Sequence, residues 1–139
     1  MTSAQPKHQA FNIGVKALVV RGGCILLLKR RDVAKWEVPG GRINVGEDAT
    51  QTLLRELPEE LPGCQNVQLS HLVHAAQQDF ILPNGNRLML LFFRVTADLP
   101  YIVSLSDEHI AADWASAATL ASYQLQKPIL EAAQLALQP

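Results

Sequence analysis

Between Gly41 and Glu60 the chain reads Gly-x5-Glu-x7-Arg-Glu-Leu-x-Glu-Glu, which fixes Glu47, Arg55, Glu56, Glu59 and Glu60 within twenty residues. Carboxylates at that density repel one another unless positive charge sits among them, and hard divalent cations with oxygen ligands are the usual answer. The same segment carries the strongest helical pattern of the first half. Gly46-Glu47-Asp48 opens it, with acidic residues expected in a first turn that suits the helix dipole. Ala49, Leu53 and Leu57 then recur every four residues and predict a buried stripe. The helix is expected to stop by Pro62-Gly63. On an ideal helix Glu56, Glu59 and Glu60 share one face. Arg55 stands four residues before Glu59, where its fork can orient a carboxylate, and Glu47 can pair with Arg55 in turn. Pro58 cuts across this pattern. It removes a helical hydrogen bond and clashes with the carbonyl of Leu54, so a kink or an early end is expected between Glu56 and Glu59.

The remainder of the chain alternates strand and turn signals. Ile13 to Val20 and Cys24 to Leu28 are β-rich runs around Arg21-Gly22-Gly23 and predict a hairpin. Lys29-Arg30-Arg31-Asp32 reads as a polar loop, a solvated charge run in the usual case. Trp36 to Val38 reads as a short strand stopped by Pro39-Gly40-Gly41. Val67 to Leu82 has long strand character, Pro83-Asn84-Gly85-Asn86 is a hairpin turn, and Arg87 to Val95 is a mostly apolar central strand. A short strand is expected at Tyr101 to Val103, then a loop through Ser106-Asp107-Glu108-His109, then a further strand at Trp114. Ser116 to Ala121 and Pro128 to Leu137 read as helices, the second with Pro128 in its first turn. Residues 1–10 read as a flexible tail and 11–139 as one domain. The order of elements indicates an α/β fold, a mixed β-sheet with helices on both faces.

Composition narrows the partners. Hydrophobic residues make up 48% and charged residues 18% of the 139, which is globular. A formal net charge of -1 leaves no basic surplus for a nucleic-acid backbone, so any nucleotide ligand is expected to be small. Cys24 and Cys64 fit neither a zinc spacing nor a disulfide framework, and Cys24 reads as a small core residue. The first ten residues lack the apolar core of a signal peptide, and the longest apolar run, Leu88 to Phe93, is too short for a membrane span. A cytoplasmic enzyme without membrane attachment is the expectation. Trp36 reads as a core or hairpin aromatic, and His109 as a polar loop residue.

The spacing from Gly41 to Glu60, with its lead-in Trp36-Glu37-Val38-Pro39-Gly40-Gly41, resembles the signature of the Nudix hydrolases. The resemblance implies a Nudix-type α/β/α sandwich and Mg2+-dependent hydrolysis, with Mn2+ as substitute, of a diphosphate linkage. Its substrates would be nucleoside diphosphates linked to another moiety: nucleoside triphosphates, ADP-ribose or nucleotide sugars. It implies Glu56, Glu59 and Glu60 as metal ligands together with the carbonyl of Gly40, and Glu56 as a base acting through water. Arg55 and Glu47 would orient them, and Glu108 would add a late-loop carboxylate to the metal. Many members of that family are homodimers, although no interface signature is legible here. The signature wants glycine at position 62, where this chain has Pro62 and only then Gly63. Pro58 and Pro62 together motivate an alternative, a catalytically weak or inactive module of the same fold that binds a nucleotide for regulation.

Overall fold

Successive side chains on a strand point to opposite faces, so strands apolar at every position need a covering layer on each side. The computed structural model describes residues 7–139, and the central parts of its first two strands, Ala17–Val20 and Ile25–Leu28, are of this kind. On β1 (Phe11–Arg21), Val15, Ala17 and Val19 face one way and Leu18 the other. On β2 (Cys24–Arg30), Leu26 and Leu28 oppose Ile25 and Leu27 in the same manner. Helix α1 (Ala49–Glu60) covers the first face with Leu53 and Leu57. Helix α2 (Lys127–Ala136) covers the second with Ile129, Ala132, Ala133 and Ala136. The result is the α/β/α sandwich expected.

Five further strands complete the sheet: β3 (Trp36–Glu37), β4 (Gly40–Arg42), β5 (Gln65–Ile81), β6 (Arg87–Asp98) and β7 (His109–Ser116). The order is β3-β2-β1-β6-β5, with β4 paired to β1 and β7 to β2. The sheet is mixed, because β1 runs parallel to β6 from Phe11↔Arg87 to Val19↔Val95 while its other pairings are antiparallel. One edge of β1 is shared by β4, at Gly14 to Lys16, and by β2, at Val20 and Arg21. This sharing sets the Pro39-Gly40-Gly41 segment beside Lys16, and the amide of Ala17 donates to the Pro39 carbonyl at 2.8 Å. No helix among the described residues is long and apolar enough to cross a membrane.

The early helix end expected at Pro58 does not occur. Helix α1 runs continuously through Pro58 to Glu60, and Leu61 caps it by donating to the Leu57 carbonyl at 2.8 Å. Pro58 and Leu54 both lie on the exposed side, so water can satisfy the Leu54 carbonyl that the proline leaves without a donor. Pro62 follows the cap, where a residue that cannot continue a helix is at home. The start also differs from expectation. Asp48 is the N-cap, with a capping box to Gln51, and Glu47 precedes the helix instead of entering its first turn.

Smaller departures have local causes. Lys29 and Arg30 belong to β2, so the polar loop starts at Arg31. Tyr101 to Val103 forms no strand; Tyr101 and Ile102 are 96% and 80% exposed and have no layer to pack against. The helix expected over Ser116 to Ala121 contracts to a 3₁₀ turn at Leu120–Tyr123, because the hydroxyl of Thr119 takes the Ser116 amide at 2.9 Å. Cys24, at the hairpin end, is only half-buried, and Cys64 is the thiol in the core, its pKa raised by burial. The expected tail lies outside the described residues up to position 6; Lys7 to Ala10 are exposed.

Candidate active site

Arg55 organises the acidic segment. Its Nε and Nη2 donate to the two oxygens of Glu47 at 2.7 and 2.9 Å, its Nη1 donates to Glu56, and Nη2 also reaches the Arg42 carbonyl at 3.0 Å. A guanidinium presents donors in a planar fork, so two carboxylates and a carbonyl fix its orientation, and it fixes theirs. Hydrogen bonds from Arg55, then from the Asn44 amide, hold the Glu47 carboxyl down at about 2. The two carboxylates in turn raise the pKa of Arg55.

The glycines ahead of the helix permit close approach. A Cβ on Gly41 would lie 2.3 Å from Cδ of Glu56, so the Glu56 side chain passes directly over the Gly41 backbone. Gly40 has φ +148, and a Cβ there would sit 2.1 Å from the Val15 carbonyl oxygen, a backbone collision. The amide of Gly40 donates to Oε2 of Glu60 at 2.9 Å. Strand β4 and the end of α1 are thereby joined at the one glutamate of the segment that is deeply buried, 5% exposed. Burial outweighs the Lys16 charge and the Gly40 bond, and pushes the Glu60 carboxyl up to about 7.

Glu60 meets the far end of the chain. A carboxylate oxygen of Glu60, one of Glu108 and a ring nitrogen of His109 lie within 4.8 Å of one another. Ser106 helps hold that loop, its amide donating to the Glu60 carbonyl at 3.3 Å. His109 is not the polar loop residue expected. It opens β7, is 3% exposed, and its Nε2 sits 2.8 Å from Oε2 of Glu37 on β3. Lys16 lies 3.9 Å from the same carboxylate. Burial pushes the Glu37 carboxyl up, but the His109 bond and the Lys16 charge prevail and leave it below its ordinary value. Glu108 and His109 border a cavity of about 400 Å3 that Arg30, Arg31 and Glu37 also line. Nε of Arg31 donates to the Asp107 carbonyl at 2.8 Å, tying the β2 end to the late loop.

Of the residues expected from sequence, Glu47, Arg55 and Glu56 come together in one network, and Glu60 and Glu108 in another. Glu59 is exposed and stands outside both. Glu56 is engaged by Arg55 and does not join the Glu60–Glu108–His109 group. Gly40 meets Glu60 through its amide. Trp36 packs edge-on against Tyr123, centroids 5.2 Å apart, as a core aromatic. Sequence reasoning missed Glu37, His109 and Lys16 as members of the site. The only signal for Glu37 was its place inside the Trp36-to-Gly41 lead-in, and for His109 its adjacency to Glu108.

Comparison with known proteins bears on the fold that carries these residues. Residues 10–134 match the family model of the NUDIX domain. The E. coli ORF135 protein, known from a solution structure, is 30% identical and superposes with a TM-score of 0.72 over 89% of each chain. A Bacillus subtilis (strain 168) protein that carries 8-oxo-dGTP diphosphatase as a provisional name is 53% identical over 36 residues, 26% of this chain and 24% of that one. The mitochondrial ADP-ribose pyrophosphatase of Rattus norvegicus is 46% identical over 44 residues, 30% of this chain and 13% of that one. These two matches thus span less than a quarter of either relative's length.

Proposed function

The chain belongs to the Nudix family, and from that premise we propose a pyrophosphohydrolase, a divalent-metal-dependent enzyme that cleaves the diphosphate linkage of a small nucleotide. The observation that carries this reading is the convergence of Glu60 and Glu108, 48 positions apart in the sequence, at the edge of a cavity bordered by Arg30 and Arg31. Carboxylates meeting beside arginines suit a cation on one side and phosphate oxygens on the other. The donor set fits such a cation: two carboxylates, one of them buried, and a ring nitrogen of His109; the Nδ1 of that ring is buried without a hydrogen-bond partner.

Glu60 and Glu108 would hold Mg2+ or Mn2+; the family signature implies Glu56, Glu59 and the Gly40 carbonyl as further oxygens, of which Glu56 is held by Arg55 and Glu59 is exposed outside the group. A bound divalent cation supplies positive charge to the phosphate oxygens and acidity to water. Arg55 fixes the carboxylate of Glu56 at an orientation from which it can accept a proton from water, and Glu47 holds Arg55 in place. Arg31 supplies positive charge at the cavity rim for the diphosphate, beside Arg30, which pairs with Asp32 at 2.6 Å on the same rim. The regulatory-module alternative was motivated by Pro58 and Pro62; α1 continues through Pro58 to Glu60, which speaks against an early helix end as its cause.

The substrate class is a nucleoside diphosphate linked to another moiety. 8-oxo-dGTP and ADP-ribose are the first two to assay, because two partial relatives bear those names. A cavity of about 400 Å3 is of small-ligand size, and the proposed setting is the cytoplasm. The test is phosphate and pyrophosphate release from nucleoside triphosphates, 8-oxo-dGTP, ADP-ribose and other nucleotide sugars, with Mg2+ and with Mn2+. Metal-dependent turnover of one class is expected. No release from any of them, with either metal, refutes the reading.

A further inference from the structure

The Nudix signature supplies oxygen ligands only, yet a nitrogen stands in this group. His109 has a side chain 1% exposed, and a ring nitrogen of it lies within 4.8 Å of carboxylate oxygens of both Glu60 and Glu108. Its Nε2 is committed to Glu37 at 2.8 Å. An ionised carboxylate only accepts, so Nε2 carries a proton, and in the neutral tautomer that this fixes the lone pair is on Nδ1. Nδ1 is buried without any hydrogen-bond partner, which is costly for a polar atom unless something else binds it. A histidine whose second nitrogen is fixed by a carboxylate is the recurring arrangement at protein metal sites, where the outer carboxylate sets the tautomer and ring orientation.

We propose that Nδ1 of His109, held by Glu37, is a ligand of the catalytic cation, and that this site prefers Mn2+ or Co2+ to Mg2+. The inference rests on the metal-dependent reading above. Imidazole suits later divalent metals, whereas Mg2+ favours oxygen and retains its waters. Glu37 is then a positioning residue, with Lys16 at 3.9 Å from its carboxylate.

Electron spin echo spectroscopy of Mn2+ bound to the whole protein reads nitrogen ligation directly, without turnover. The wild type is expected to show 14N modulation from a coordinated imidazole. His109→Gln sets an amide nitrogen where Nε2 stands, so it can keep the bond to Glu37 while removing the Nδ1 donor. In that variant the modulation should vanish. Calorimetry should show Co2+ and Mn2+ affinity falling roughly tenfold or more, with Mg2+ affinity changed far less. Bound Mn2+ without 14N modulation in the wild type overturns the inference and leaves the metal-dependent reading standing, as does modulation that survives in His109→Gln. A wild type that binds no divalent cation overturns both. The wild-type spectrum alone decides the matter if the variant does not fold.

Discussion

Glu60 couples the site to the stability of the metal-free protein, and its sign is unusual for an acid. Its carboxyl moves from 4.5 to about 7 on folding, chiefly through burial. Between those values the folded state holds a proton that the unfolded chain has released. Its contribution is therefore most favourable below the unfolded value and is lost as pH rises through the folded one. At roughly 1.4 kcal/mol per pKa unit, the full effect is about 3 kcal/mol, of which 2 to 3 fall between about pH 5 and pH 8. Glu60→Gln removes this ionisation, and its amide oxygen can still accept from the Gly40 amide. In EDTA the variant should thus gain on the wild type as pH rises, by roughly 6 to 10 °C in melting temperature over that interval. Comparing the two proteins at each pH cancels the other titrating groups. Thermal denaturation at steps from about pH 5 to pH 8 measures it, and Mn2+ at the upper end should reverse the order. A difference between the two proteins that stays flat with pH in EDTA refutes the burial argument.

Other perturbations separate geometry from fold. Gly41→Ala should displace the Glu56 side chain, whose Cδ lies 2.3 Å from the new Cβ, and so lower kcat roughly tenfold or more at little cost in stability. Gly40→Ala collides with the Val15 carbonyl and should destabilise the fold by several kcal/mol, seen as a lower urea midpoint. Arg55→Lys loses the fork to Glu47, Glu56 and the Arg42 carbonyl, so activity should fall steeply while the melting temperature changes little. Pro58→Ala should raise stability by about 1 to 3 kcal/mol and leave metal affinity unchanged, which denaturation and calorimetry check together.

The sheet and both helices were legible because their signals are local. The Leu53–Leu57 stripe, the Asn84-Gly85 turn and Pro128 in a first turn each act through neighbours in the chain. Pro58 misled because its cost depends on whether the freed Leu54 carbonyl faces solvent, and the sequence pattern alone did not settle that for this position. The Arg55 network was readable from spacing along one helix and its entry loop. The Glu60–Glu108–His109 group was only half readable, since it needs β7 brought alongside β2 and the end of α1. Glu37 and His109 are 72 positions apart, and nothing in either segment specifies the other.

The central claim is that the cation bound between Glu60 and Glu108 drives diphosphate cleavage. Mn2+ binding and turnover of the best substrate, measured side by side in the wild type and in Glu60→Gln, test it most directly. Both should collapse together in the variant, with the fold intact by circular dichroism. Full turnover by Glu60→Gln would contradict it and move the reaction centre away from the buried end of α1.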